Sequence, residues 1–143
     1  MKKIILLTAV LLYSMLSFAQ DLQEKEVPSV VLNAFKQKFA KATDIEWELK
    51  NNLYKVEFEI ARIDHEAWLN TSGQVVKTKQ DLKANELPKA ISSKIASQYK
   101  GYRIDDVDKI EEGGKVKFKV ELKKAGSEQN VYFDINGNVL KTK

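Results

Sequence analysis

A single histidine stands in Asp64-His65-Glu66, and the chain has no cysteine. Histidine between carboxylates is raw material for a metal site or a general base. A zinc centre takes three or four ligands from His, Cys and carboxylates, which one His and no Cys do not supply in the common forms. No nucleophile signature such as Gly-x-Ser-x-Gly accompanies His65. The tripeptide therefore reads as part of a polar turn over Arg62–Glu66. Asp134-x-Asn136-Gly137-Asn138 offers oxygen ligands at alternate positions, as a calcium loop does. An EF-hand loop closes on a bidentate Glu at its twelfth position, and no Glu follows Asp134. Asn-Gly between two strands reads better as a hairpin turn. Glu46, Glu48, Glu57 and Glu59 could form acid–base pairs, but they alternate with apolar residues at regular solvent-facing positions rather than lining a cleft. The sequence predicts no enzyme, no metal and no cofactor.

Aromatic residues with charged neighbours suggest recognition instead. Phe35, Phe39, Tyr54, Phe58, Tyr99 and Phe118 fall on apolar stripes and read as core. Trp68 and Tyr132 do not fit those stripes. Val131, Phe133 and Ile135 carry the apolar alternation around Tyr132, and Trp68 lies between Ala67 and Leu69. Two readings are open. Either both rings lie on an open sheet face and contact a partner, or the strands are bulged and both rings are buried. On the first reading the candidate partner-binding residues are Trp68 and Tyr132, with Glu57, Glu59, Lys117 and Lys119 as charged surroundings.

These residues need elements to position them. Val31, Phe35 and Phe39 recur every four residues after Val27-Pro28, and Ile91, Ile95 and Tyr99 do so after Leu87-Pro88. That spacing predicts helices over Pro28–Ala40 and Pro88–Lys100, with proline in the first turn. Gly101 is placed to stop the second helix. The period then changes to two. Ile45-x-Trp47-x-Leu49, Tyr54-x-Val56-x-Phe58-x-Ile60 and Val116-x-Phe118-x-Val120-x-Leu122 predict antiparallel strands with one buried and one wet face. Turns are expected at Asn51-Asn52, Arg62–Glu66, Gly113-Gly114 and Lys124–Gln129, and Asp105, Asp106 and Asp108 read as a solvated loop.

Leu69–Lys79 (LNTSGQVVKTK) and Phe133–Lys143 (FDINGNVLKTK) are nearly one phrase written twice. The chain thus reads as α+β: two tandem repeats, 27–79 and 87–143, each one helix followed by a four-stranded antiparallel sheet, with the helices packed on one sheet face. A unit of this size is marginal alone, so the sheets are expected to meet edge to edge; separate packing of two small sheets is the alternative. Val75-Val76 and Val139-Leu140 are paired aliphatics on strands, where neighbours point to opposite faces, so one of each pair should point away from the helices.

Met1-Lys2-Lys3, the apolar run Ile4–Phe18 and Ser17-Phe18-Ala19-Gln20 describe a signal peptide cleaved after Ala19, the alternative being a membrane anchor. Residues 20–143 are then the exported domain, periplasmic or secreted and without a membrane anchor. Without Lys2 and Lys3, 22 basic side chains stand against 20 acidic ones. That near balance argues against nucleic acid as a partner.

Val27-Pro28, Ala34-Phe35, Phe39, Glu46-Trp47-Glu48, Tyr54-x-Val56-x-Phe58 and Glu66-Ala67-Trp68 before Gly73 resemble the exported PepSY-like family, grouped with β-lactamase-inhibitor-like proteins. Leu87-Pro88, Tyr99-x-Gly101-Tyr102, Val116-x-Phe118-x-Val120 and Tyr132-x-Asp134-x-Asn136-Gly137 extend the resemblance over nearly the whole exported chain. Ala40 stands where that family often has Pro. The resemblance implies helices on one sheet face and the other face open to partners. It implies a non-catalytic binding module, inhibitor-like or otherwise engaging a protein or envelope component. A periplasmic carrier of a small ligand or peptide is the other reading.

Overall fold

The computed structural model describes residues 20–143, so the signal-peptide expectation for residues 1–19 lies outside the described residues. Strand β1 (Gln20–Leu22) is followed by helix α1 (Ser29–Lys38) and strands β2 (Thr43–Lys50), β3 (Leu53–Ile60), β4 (Ile63–Leu69) and β5 (Val75–Asp81). Helix α2 (Lys89–Gln98) then precedes β6 (Arg103–Glu112), β7 (Lys115–Lys124), β8 (Ser127–Asp134) and β9 (Val139–Thr142). The nine strands form one antiparallel sheet in which each pairs with its neighbours in the chain.

This corrects the expected fold of two repeats, each a helix with its own four-stranded sheet. The strands belong to one continuous sheet, extended by β1, which no period announced. The seam is β5 against β6, with Lys77 opposite Glu112 and Asp81 opposite Asp108. Joining there satisfies backbone groups that two separate edges would leave bare. A period of two tells which face a residue occupies and says nothing of which strand lies beside it.

Cross-strand register puts both helices on the same face. Ala67 pairs with Thr78, Thr78 with Glu111, and Glu111 with Val116, so these four share a face. Val31 and Phe35 of α1 pack with Trp47, Val56, Phe58, Ala67 and Leu69. Ile91 and Ile95 of α2 pack with Val107, Phe118, Val120, Leu122, Val131 and Phe133. Phe35 meets Trp47 and Phe58 edge-on, with centroids 5.2 and 5.1 Å apart. Polar Thr78, Gln80, Lys109 and Glu111 fall between the clusters where the sheet crosses the seam. One sheet therefore carries two cores.

The echoed phrases are the loops on which the helices start. In β4–β5 the Asn70 Oδ1 accepts the backbone N–H groups of Ser72 and Gln74. In β8–β9 the Asp134 Oδ1 accepts those of Asn136 and Asn138. Each loop turns at a glycine of positive φ, +81° at Gly73 and +82° at Gly137. A Cβ there would lie 2.8 Å from the Val30 carbonyl oxygen of α1 or 2.7 Å from that of Ala90 in α2. The paired aliphatics that follow are bulges. Leu69 pairs Val75 while Trp68 pairs Lys77, leaving Val76 extra, and Leu140 is extra in β9 by the same pattern.

Candidate functional site

The helix-free face is an ordered lattice of charge. One cross-strand row runs Glu48, Lys55, Trp68, Lys77, Glu112, Lys115 from β2 to β7. The next runs Glu46, Glu57, Glu66, Lys79, Ile110, Lys117, Asp134. Asp81, Asp108, Lys119, Tyr132 and Lys141 form a third, from β5 to β9. Like charges opposite one another on a strand pair are destabilising, and Glu46–Glu57, Glu57–Glu66, Glu59–Asp64 and Asp81–Asp108 are four such pairs.

Lysines offset three of these, all but Glu59–Asp64. Lys55 lies between Glu57 and Glu66, the latter 3.2 Å away. Lys79 bridges Glu66 to Asp108, and Lys119 reaches Asp108 at 3.1 Å. Burial works against the charge on all three ammonium groups, yet hydrogen bonds and attraction from these carboxylates raise their pKa values. Asp108 is buried, 2 % exposed, and carries this load at the seam. Beside it Asp81 is raised to about 6, first by burial and then by a hydrogen bond to Asp108 and that residue's charge.

Trp68 and Tyr132 both lie on this face and are half-buried. Both adjoin a bulge, yet the bulges do not bury them, because the extra residues Val76 and Leu140 sit in the neighbouring strands. Trp68 is gripped by cations: the Lys77 Nζ lies 4.3 Å from its ring centroid and the Lys55 Nζ 5.8 Å. Tyr132 stands opposite Lys119. Four strand spacings separate Trp68 on β4 from Tyr132 on β8, roughly 19 Å, so the two rings do not form one patch. The charged candidates divide likewise. Lys119 adjoins Tyr132, Lys117 pairs with Glu112 at 2.9 Å, and Glu57 and Glu59 belong to the acidic part of the face.

Sequence reasoning missed Lys50, Lys55 and Lys77 around Trp68, and the Asp81–Asp108 pair, whereas Val76 belongs to an aliphatic pair expected to put one member on this face. A basic residue on another strand is invisible until the register is known. Most of one expected turn and all of one expected loop are strand. His65 lies within β4, on the helix side, stacked on Phe58 with centroids 5.4 Å apart. Burial lowers its pKa, partly offset by Asp64. The turn occupies Ala61-Arg62, both at positive φ. Asp105, Asp106 and Asp108, read as a solvated loop, are within β6.

Clefts of ≈ 320 Å³ at Lys50, Leu53, Lys55, Trp68, Val76 and Lys77, and ≈ 330 Å³ at Asp44, Glu59, Asp64, His65 and Asp81, lie at opposite ends of the strands. The second is lined mainly by charged side chains, and half of the residues lining the first are charged. Among the described residues no group of three or more His, Cys, Asp and Glu is arranged to hold a metal, and no helix is long and apolar enough to cross a membrane.

Residues 16–65 and 52–141 match the family described as beta-lactamase-inhibitor-like, PepSY-like. The fold is similar to a DUF2874 family protein from Bacteroides uniformis, with a TM-score of 0.75 at 21% identity over 81% of this chain and 88% of that one. A BLIP-like protein from Bacteroides fragilis gives 0.71 at 26% identity over 81% and 84%. A protein from Bacteroides eggerthii, named provisionally as periplasmic, gives 0.75 at 20% identity over 82% and 88%. No curated protein matches.

Proposed function

Because this chain belongs to the PepSY-like, beta-lactamase-inhibitor-like family, we propose that it is an exported, non-catalytic module that binds another protein through its helix-free sheet face. The observation that carries this reading is the face itself: a fixed lattice of ion pairs with Trp68 and Tyr132 half-exposed within it. Rigid aromatic rings among pre-positioned charges supply contact area at little conformational cost. The charged lining of the clefts favours a macromolecular surface over a carried apolar ligand. Export draws on the basic-then-apolar start of the chain and on the provisional periplasmic naming of the Bacteroides eggerthii relative.

Photo-crosslinking tests the proposal. A crosslinking amino acid is introduced at Trp68, at Tyr132 and, as a control, at Ser93 on an exposed turn of α2. Protein adducts from Trp68 or Tyr132 and none from Ser93 are expected in the envelope fraction. Adducts from Ser93 alone would overturn the face assignment, and small-molecule adducts alone would favour a carrier.

A further inference from the structure

The two ends of the helix-free face differ in sign. At the end formed by the β2–β3, β4–β5 and β6–β7 hairpins, the cleft around Trp68 has Lys50, Lys55 and Lys77 against Glu112. At the other end Asp44, Glu46, Glu57, Glu59, Asp64, Glu66 and Asp81 stand against Lys79, with His65 reaching the cleft from the helix side. Two of the three cations at the Trp68 end, Lys50 and Lys77, are also the less committed ones. Lys55 is shared among Glu48, Glu57 and Glu66. Lys50 and Lys77 have no carboxylate within ion-pair distance among the described residues, while Glu112 is taken by Lys117 at 2.9 Å. The Lys117 hydrogen bond, partly opposed by desolvation and aided by the charges of Lys117 and Lys77, holds the Glu112 carboxyl below its usual range. Lys77 is nonetheless positioned, its ammonium over the Trp68 ring at 4.3 Å. Leu53 and Val76 supply apolar lining beside that ring.

We propose that the Trp68 cleft docks an acidic segment of the partner protein, an aspartate or glutamate side chain meeting Lys77 and Lys50 while an adjoining apolar side chain covers Leu53, Val76 and the exposed part of Trp68. The occupant is identified by charge complementarity. Lys77, held over the Trp68 ring, and Lys50, which has no ion pair among the described residues, attract carboxylates at a modest ordering cost. The carboxylate-rich cleft at the opposite end repels the same segment, so the face sets the direction in which it lies. This deepens the reading of the helix-free face as a protein-binding surface and rests on it.

The test uses three short peptides alternating Phe with Glu, with Gln or with Lys, titrated into the purified protein while the two indole N–H signals are followed by NMR. The Glu peptide is expected to move the Trp68 signal at about millimolar concentration, to leave that of buried Trp47 in place, and to lose affinity as salt is raised. Lys50→Gln with Lys77→Gln should weaken it roughly tenfold, and Lys89→Gln on α2 should leave it unchanged. Equal or tighter binding of the Lys peptide, a Trp68 signal that no peptide moves, or affinity indifferent to the two lysine variants would each overturn the inference. Crosslinking to protein from Trp68 or Tyr132 alongside such a result would retain the binding face and remove only the acidic character of its occupant.

Discussion

Asp81 and Asp108 face each other across the seam, one of them buried, and the pair couples stability to pH. The Asp81 carboxyl is raised to about 6 in the folded chain, against about 3.9 when unfolded. The folded state therefore holds a proton that the unfolded state releases. That stabilisation is complete below about pH 4 and is lost as pH rises through about 6. Asp81→Asn, which keeps a hydrogen-bond donor toward Asp108 without the charge, should leave stability near pH 4 almost unchanged. Near pH 8 it should raise stability by on the order of 1 kcal/mol after allowance for solvent screening. Urea unfolding at the two pH values measures the difference. The tryptophans give a second residue-scale prediction. Trp47→Ala, in the first core, should cost about 3–5 kcal/mol, whereas Trp68→Ala should cost about 1 kcal/mol.

At the scale of elements, the glycine loops hold the starts of the helices. Gly73→Ala and Gly137→Ala combine positive φ with a collision against a helix carbonyl, whereas Gly113→Ala has positive φ alone and open space around it. The first two should each lower stability by about 1 kcal/mol or more beyond the loss in the third, read from denaturant midpoints. The helices and most strands were legible in the sequence because burial on one side imposes a period on the chain. Val31 and Phe35 announce α1 as plainly as Val116, Phe118 and Val120 announce β7. The edge-to-edge join of β5 to β6 was expected only because one unit is marginal alone; its register was not legible, because Lys77 through Asp81 has no apolar period to mark a buried neighbour. Trp68 was legible only as a ring outside the apolar stripes, with an open face and burial under a bulge both left open, while Lys55 and Lys77 on either side of it were not legible at all. Asp108 was misread because a buried carboxylate is told from a solvated one only by the lysines facing it.

The whole molecule is one sheet with two cores, and this makes a claim about cooperativity. Ile95→Ala removes a buried side chain from the second core and should cost about 2–5 kcal/mol. Trp47 reports on the first core. If the seam couples the cores, the Trp47 fluorescence midpoint should fall together with that of far-ultraviolet circular dichroism. A Trp47 midpoint left at its original value would mean that the cores melt separately. The hairpins also divide the surface into places where foreign sequence fits and places where it does not. The β4–β5 and β8–β9 tips are occupied by helix backbone, while Gly113, Gly114 and Gly126 have nothing within 4 Å of an added Cβ. An epitope or fluorophore loop spliced between Ala125 and Gly126 should be carried without harm, at the rim away from Trp68. The same insertion at Gly137 would prise α2 off its seat. A reporter for following this protein in the cell therefore belongs at the β7–β8 tip.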